Sequence, residues 1–229
     1  MCRAPSRRNG KGKGLLTAIF QLKFLLSFIA FFGVYWAAYG MTFGLGFAVL
    51  ILIHELGHYV DVKRRGLPAD MPVFLPGFGA YVRWRTLGVS RATRAAVSLA
   101  GPFAGFLASL VCAVVWWQTG NPLWAALARA GAWLNLLNLI PVWVLDGGQA
   151  APALSKSQRI LLLASAVVLW LFLDESLFFL VAIGAAYQAF FAGDLPPVSD
   201  RRTLAYFIGV LAALGILLHL LPSLGFAQN

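Results

Sequence analysis

Charged residues are scarce in this chain. They make up 11% of its 229 residues, whereas 60% of the residues are hydrophobic. Charges this sparse cannot cover the water-facing surface of a soluble domain. Long polar stretches are lacking too, and apolar runs near the ~20 residues needed to cross a bilayer recur along almost the whole length. The sequence therefore excludes an ordinary soluble protein and predicts a polytopic membrane protein in the lipid bilayer.

Cysteine is almost absent, which excludes a disulfide-stabilised scaffold. Cys2 lies in the polar N-terminal segment and Cys112 in an apolar run. The formal charge of +10 is compatible with nucleic-acid binding, but in a membrane chain the charge of each loop records topology instead. We expect no nucleic-acid partner.

The apolar blocks predict an all-α fold with about six to seven transmembrane helices. They lie at about 16–38, 42–60, 95–117, 123–142, 158–173, 175–192 and 204–221. Residues 67–85 mix proline, glycine and apolar side chains, which indicates a short β-hairpin or a re-entrant segment. We expect residues 1–14 to be a basic cytoplasmic leader before a retained signal anchor, and 223–229 to be a short tail.

The distribution of positive charge predicts the topology. With the N-terminus in the cytoplasm, 17 of the 18 Lys and Arg residues face the cytoplasm, and Arg129 is the exception. Such a bias favours an inside N-terminus and, with seven spans, an outside C-terminus. A multi-pass protein of the cell (inner) membrane is the expected arrangement.

Residues 54–58 read His-Glu-Leu-Gly-His at the end of an apolar run that should be helical. Positions i and i+4 share one helix face, so His54 and His58 can bind one Zn²⁺, and Glu55 lies beside it as a catalytic base. The chain has only three histidines, and ionisable groups at membrane depth are costly enough to indicate function. The motif therefore predicts a metal site rather than a chance match.

A catalytic zinc needs a third protein ligand, and two residues are candidates. His219 lies near the outer end of the last block, away from the inner end where the histidine pair is expected, and is interpreted as an interfacial histidine. Asp146 follows Pro141 on the inner side, and Gly147-Gly148 would break helical geometry there and let the carboxylate turn toward the metal. We predict Asp146 as the third ligand; the alternative is an aspartate that caps a helix.

On these residues the chain resembles the site-2 protease family of intramembrane zinc metalloproteases. The resemblance rests on HELGH at 54–58, Gly-Pro-Phe-Ala-Gly at 101–105, and Asn-Leu-Ile-Pro at 138–141 leading to Leu-Asp-Gly at 145–147. It covers about residues 40–150, the expected catalytic core of a single transmembrane metalloprotease domain at 15–222. It implies Asp146 as a ligand, one zinc per chain, and transmembrane proteins as substrates.

Several further residues have two interpretations each. Asn138 either donates to an oxyanion or substrate carbonyl or bonds between helices. Asn135 is expected to pack or bond between helices, and the glycines at 101 and 105 to permit close helix approach. Residues 80–84 form either a strand edge that pairs with unfolded substrate or an interfacial anchor.

Two sets of charged residues lie outside these motifs. Asp174 and Glu175 are expected to be solvated connection residues. Arg129, inside an apolar block, either pairs with another group or extends toward the interface.

The expected reaction is hydrolysis of peptide bonds in or near transmembrane segments. Zinc would activate a water and polarise the carbonyl, while Glu55 passes the proton of the water to the leaving amine. A helical substrate must first unwind, which favours helix-weakening residues, and the cut is expected toward the cytoplasmic side. The alternatives are a metal-ion transporter and a non-proteolytic membrane binding protein with the same ligand cluster. No oligomeric state is predicted.

Overall fold

The computed structural model describes residues 10–75, 79–84, 88–193, 195–196 and 199–222, with side chains from residue 22 onward. Most of the predicted leader and the whole of the predicted tail lie outside these residues. The described elements are α1 (Gly10–Tyr39), α2 (Met41–Arg64), β1 (Val73–Leu75), β2 (Gly79–Tyr81), α3 (Arg91–Thr119), α4 (Pro122–Asn138), α5 (Asp146–Ala150), a 3₁₀ turn (Ala151–Ala153), α6 (Lys156–Leu173), α7 (Leu177–Phe190) and α8 (Arg201–Leu220). The all-α class is confirmed.

Five of the described helices, α1, α2, α3, α6 and α8, are long and apolar enough to cross a membrane. The blocks predicted at about 123–142 and 175–192 form shorter helices, α4 with 17 residues and α7 with 14 residues. The first of these blocks ends early because Pro141 disfavours helical backbone in the residue before it, and α4 stops at Asn138. The chain is thus a multi-pass membrane protein in which two apolar helices are shorter than a full span.

The ends of α3 and α4 follow local sequence signals. Ser90 caps the start of α3 by accepting a hydrogen bond from the Thr93 N–H. Gly120 ends α3 in the left-handed conformation with φ 65°. Asn121 then caps α4 through its side-chain oxygen, and Pro122 occupies the first turn of α4. Because two residues suffice for this turn, α3 and α4 form a tight helical hairpin.

The segment at 67–85 contains a β-hairpin, one of the two forms predicted for it. β1 and β2 pair antiparallel with Val73 opposite Tyr81 and Phe74 opposite Ala80. Phe74 is 1% exposed, and its ring contacts Phe28 and other aromatic rings of α1. This aromatic contact ties the hairpin to α1.

Helix α3 occupies the centre of the fold, where it packs against α2, α4, α5 and α8. Buried side chains of α3, α4, α6, α7 and α8 form one continuous apolar core. The C-terminal half of α2 lies against this core on one side and against β2 on the other. The predicted metal ligands of α2 are therefore enclosed by several elements that are distant in sequence.

Candidate metal centre

The C-terminal half of α2 presents two histidines to the protein interior. His54 is 4% exposed and His58 is 8% exposed. They lie one helical turn apart on the same face, their rings meet edge to face, and their Nε2 atoms are 3.1 Å apart. The geometry that the HELGH spacing predicts is present.

Asp146 reaches the same point from the first residue of α5. Its Oδ2 lies 3.2 Å from His54 Nε2, and its Oδ1 lies 3.3 Å from His58 Nε2. One possible ligand atom from each of the three residues lies within 4.8 Å of the others, so the cluster could hold a metal ion. His219 lies elsewhere: it is near the end of α8, exposed, with Nδ1 3.4 Å from the Leu173 carbonyl oxygen.

Hydrogen bonds at the Nδ1 atoms determine where each imidazole carries its proton. Asn135 donates from Nδ2 to the Gly131 carbonyl at 2.7 Å, so its amide oxygen faces His54 Nδ1, also at 2.7 Å. His58 Nδ1 lies 2.8 Å from the Val97 carbonyl oxygen. Both oxygens only accept hydrogen bonds. Each Nδ1 therefore carries a proton, and in a neutral imidazole this leaves the lone pair on Nε2, the nitrogen that faces Asp146.

Three acceptor groups thus face one another in a buried space. Asp146 Oδ2 is buried and accepts no hydrogen bond from the described part of the chain. Two lone pairs and a carboxylate at this separation repel one another unless a cation or added protons lie between them. Two imidazole nitrogens and a carboxylate oxygen are also a known ligand set of catalytic zinc. The residues therefore fit a zinc ion on their own chemistry.

Two glycines of α3 leave the space that these side chains occupy. A Cβ on Gly101 would lie under 3.0 Å from His58 Nε2, and a Cβ on Gly105 would lie under 3.0 Å from the Asn135 amide oxygen. The spacing of these glycines predicts close helix approach. The structure adds that each glycine faces one particular side chain of the metal centre, a pairing that spacing alone does not reveal.

The loop that delivers Asp146 is held by the helices that follow it. Gln188 of α7 donates from Nε2 to the Pro141 carbonyl at 3.1 Å. The Gln188 carbonyl in turn accepts from Nη1 of Arg159, a residue that is 1% exposed, at 2.7 Å. A Cβ on Gly184 would lie 2.8 Å from Pro141 Cδ, so α7 lies directly against the loop. Helices α6 and α7, which carry no recognised motif, thus support the position of Asp146.

A cavity of about 380 Å³ opens beside the ligands. Glu55, which is 5% exposed, lines it together with Asn138. Ala80 and Tyr81 of β2 and Arg94 of α3 also line the cavity. The residues predicted for catalysis and for substrate contact therefore share one enclosed space with the ligand cluster.

Arg129 and Glu175 form a pair outside this centre. The prediction that Glu175 is a solvated connection residue is wrong: its side chain is 14% exposed and its Oε2 lies 3.7 Å from Arg129 Nη2. Arg129 Nη1 also donates to the Leu218 carbonyl at 3.2 Å. A carboxylate can leave water when a cation lies beside it, and here the pair links α4 to the α6–α7 connection and to α8.

Comparisons with known proteins bear on α2, the hairpin and α3. Residues 42–121 match the family model of peptidase family M50. A curated relative, described as "Probable zinc metalloprotease EGY1, chloroplastic" of Arabidopsis thaliana, is 36% identical over 61 residues, which are 24% of this chain and 11% of the relative. The chain thus spans about a tenth of the length of this relative. No solved structure gives a significant match.

The matched range contains His54, Glu55 and His58 together with Gly101 and Gly105, whereas Asp146 lies beyond it. The position of Asp146 in the centre therefore rests on the distances above. The resemblance to the site-2 protease family is confirmed in the sense that residues 42–121 match the model of peptidase family M50.

Proposed function

We propose that this chain is an intramembrane zinc metalloendopeptidase that hydrolyses peptide bonds in or near the transmembrane segments of membrane proteins. The family match supports a membrane zinc metalloprotease. The observation that carries the proposal is the convergence of the Nε2 atoms of His54 and His58 and the Asp146 carboxylate on one buried point. A soluble fold with this motif would not need the surrounding apolar spans.

In this proposal His54, His58 and Asp146 hold one Zn²⁺ per chain. A zinc ion held there would polarise the scissile carbonyl and make a water more acidic. Glu55, in the same cavity, takes the proton of the attacking water and passes it to the leaving amine. Asn138 donates its side-chain amide to the carbonyl oxygen as that oxygen gains negative charge.

A substrate segment has to enter the cavity in extended form, because a helix hides its peptide carbonyls in internal hydrogen bonds. Among the described residues β2 pairs with β1 alone, and Ala80 and Tyr81 of β2 line the cavity. We propose that the unwound substrate pairs along β2, since an open strand edge binds extended peptides through main-chain hydrogen bonds. Substrates with helix-weakening residues near the cut are favoured.

The proposed location is the cell (inner) membrane, with the N-terminus in the cytoplasm. The support is the bias of Lys and Arg toward one set of connections, which include the basic C-terminal end of α2 and the start of α8. His58 lies six residues before the basic C-terminal end of α2 at Arg64. Cleavage is therefore expected toward the cytoplasmic side of the membrane.

Reconstitution tests the activity directly. The purified chain in liposomes is combined with a panel of single-span proteins, and the products are identified by mass spectrometry. We expect cuts in or near the transmembrane segments, loss of cutting with a chelator, and recovery on adding zinc. Cleavage that persists with all zinc removed, or none with any panel member, would count against the proposal.

Glu55→Gln separates proteolysis from metal binding. Without the base we expect turnover to fall roughly 10²–10⁴-fold, with the zinc content unchanged. Asp61→Asn is the matched control, because Asp61 lies on the same helix in a surface pair with Arg65 and such pairs contribute little. A metal transporter would behave differently: zinc uptake into the liposomes would persist in the Glu55→Gln variant.

A further inference from the structure

We infer that Asn135 is a positioning residue of the metal centre, which holds the His54 ring so that Nε2 points at the cation. This inference rests on the proposed zinc site. Asn135 lies outside the HELGH and LDG motifs and outside the residues matched to the family. It touches no proposed substrate or metal, and acts through His54 alone.

Both ends of the Asn135 side-chain amide form hydrogen bonds. The side chain is 1% exposed, and its Nδ2 donates to the Gly131 carbonyl one turn earlier on α4. A carbonyl cannot donate, so the amide cannot be turned over without losing that bond. Its oxygen is thereby directed at His54 Nδ1, 2.7 Å away.

The Asn135 amide is packed too closely against α3 to move. Gly105 of α3 lies against it so closely that a Cβ there would be under 3.0 Å from its oxygen, nitrogen and carbon atoms. Gly105 also supplies a carbonyl to Ser109 Oγ at 2.8 Å. The amide is therefore enclosed between its own helix and α3, and it presents a fixed acceptor to α2.

Without the Asn135 amide oxygen, His54 would lose the acceptor for its Nδ1–H. Its Nδ1–H would be a buried donor without a partner, which costs about 1–3 kcal/mol. Rotation of the ring or transfer of the proton to Nε2 would relieve that cost, and either change removes the lone pair from the cation. Partners of ligating histidines typically change metal affinity by roughly 10–100-fold.

Three variants test the inference by zinc affinity, measured by competition with a chromogenic chelator on the full chain in detergent. Asn135→Leu keeps the approximate size but cannot accept a hydrogen bond, and we expect zinc affinity to fall roughly 10–100-fold. Asn135→Asp retains an acceptor oxygen for His54 but loses the donor to the Gly131 carbonyl, and we expect it to recover part of the affinity that Asn135→Leu loses. Ser109→Ala disturbs the same α3–α4 interface without touching His54, and should leave affinity unchanged.

The visible absorption of the Co²⁺-loaded chains reports ligand geometry independently of activity. We expect an altered spectrum for Asn135→Leu, a smaller change for Asn135→Asp and a wild-type spectrum for Ser109→Ala, with helical content confirmed by circular dichroism for every chain. Wild-type affinity and spectrum in Asn135→Leu would overturn the inference. So would equal losses in Asn135→Leu and Ser109→Ala with no recovery in Asn135→Asp, because that pattern reflects packing alone.

The outcome also separates this inference from the proposed function. A wild-type chain that binds no stoichiometric zinc contradicts both. A wild-type chain that binds zinc and cleaves substrate, together with an Asn135→Leu chain that binds zinc equally well, contradicts only the role of Asn135.

Discussion

Replacing Gly101 with alanine tests whether α3 is shaped around the metal centre. The new Cβ would lie under 3.0 Å from three atoms of the His58 ring, including Nε2. Non-bonded contacts settle near 3.5–4.0 Å, so the ring or the helix must shift by about half an ångström or more. Metal–ligand distances tolerate only about 0.2 Å. The ring is also tied through Nδ1 to the Val97 carbonyl of α3 itself, so it cannot easily turn aside.

We therefore expect Gly101→Ala to lower zinc affinity by about 100-fold and to abolish proteolysis. Gly209→Ala is the matched control, since Gly209 lies in α8 where an added Cβ would meet no atom within 4 Å. We expect this change to leave zinc affinity unaltered and to be neutral or stabilise α8 by about 0.5–1 kcal/mol. The assay is zinc per chain after dialysis against graded chelator, with thermal unfolding in detergent to confirm folding. Wild-type zinc retention in a folded Gly101→Ala chain would refute the reasoning.

Three further variants probe the supporting structure. Arg129→Met leaves the largely buried Glu175 carboxylate without its cation, and we expect the unfolding free energy to fall by about 2 kcal/mol. The double variant Arg129→Met, Glu175→Gln should recover part of that loss. A double variant as unstable as Arg129→Met alone would contradict the pairing. Burial acts to raise the pKa of Asp200, but hydrogen bonds from the first turn of α8 outweigh it and hold the pKa below the ordinary 3.8. The stabilisation of α8 by the Asp200 cap is therefore fully present above about pH 4 and is lost as pH falls through the lowered pKa. Asp200→Ala should lower the unfolding free energy by about 0.5–2 kcal/mol at neutral pH. Thermal melts at several pH values measure this loss, and melts identical to the wild type would argue against the cap. Gln188→Leu removes the donor to the loop before α5, and we expect zinc affinity to fall roughly 10-fold. The control is Gln118→Leu, at an exposed position near the end of α3, which should leave the zinc affinity measured by chelator titration unchanged.

The histidine pair at 54 and 58 could be located from the sequence because a single helix determines its geometry. His54 and His58 lie one turn apart in any helix, so no tertiary information is needed to place them together. Asp146 could be proposed as their partner because Pro141 and the following glycines indicate a break in helical backbone at the correct membrane face. The structure then brings this residue within 3.2 Å of His54.

The contacts between helices could not be predicted in the same way. Helical spacing shows that the glycines at 101 and 105 share a face, but the side chains opposite them depend on the crossing of α3 with α2 and α4. Asn135 was expected to bond between helices, and the identity of its partner, His54, depends on that crossing too. Glu175 was misassigned for a related reason: its partner Arg129 lies 46 residues earlier in the chain, beyond any local pattern.

The hydrogen bond from Gln188 to the Pro141 carbonyl has a consequence for the synthesis and membrane insertion of the protein. All three proposed ligands have been synthesised once residue 146 is made, yet the donor that holds the loop arrives only with α7, and Arg159 arrives with α6. We expect a nascent chain that ends before α7 to contain every ligand but to hold zinc weakly. The proposed proteolytic activity would then appear late in membrane insertion, once α6 and α7 have joined the fold.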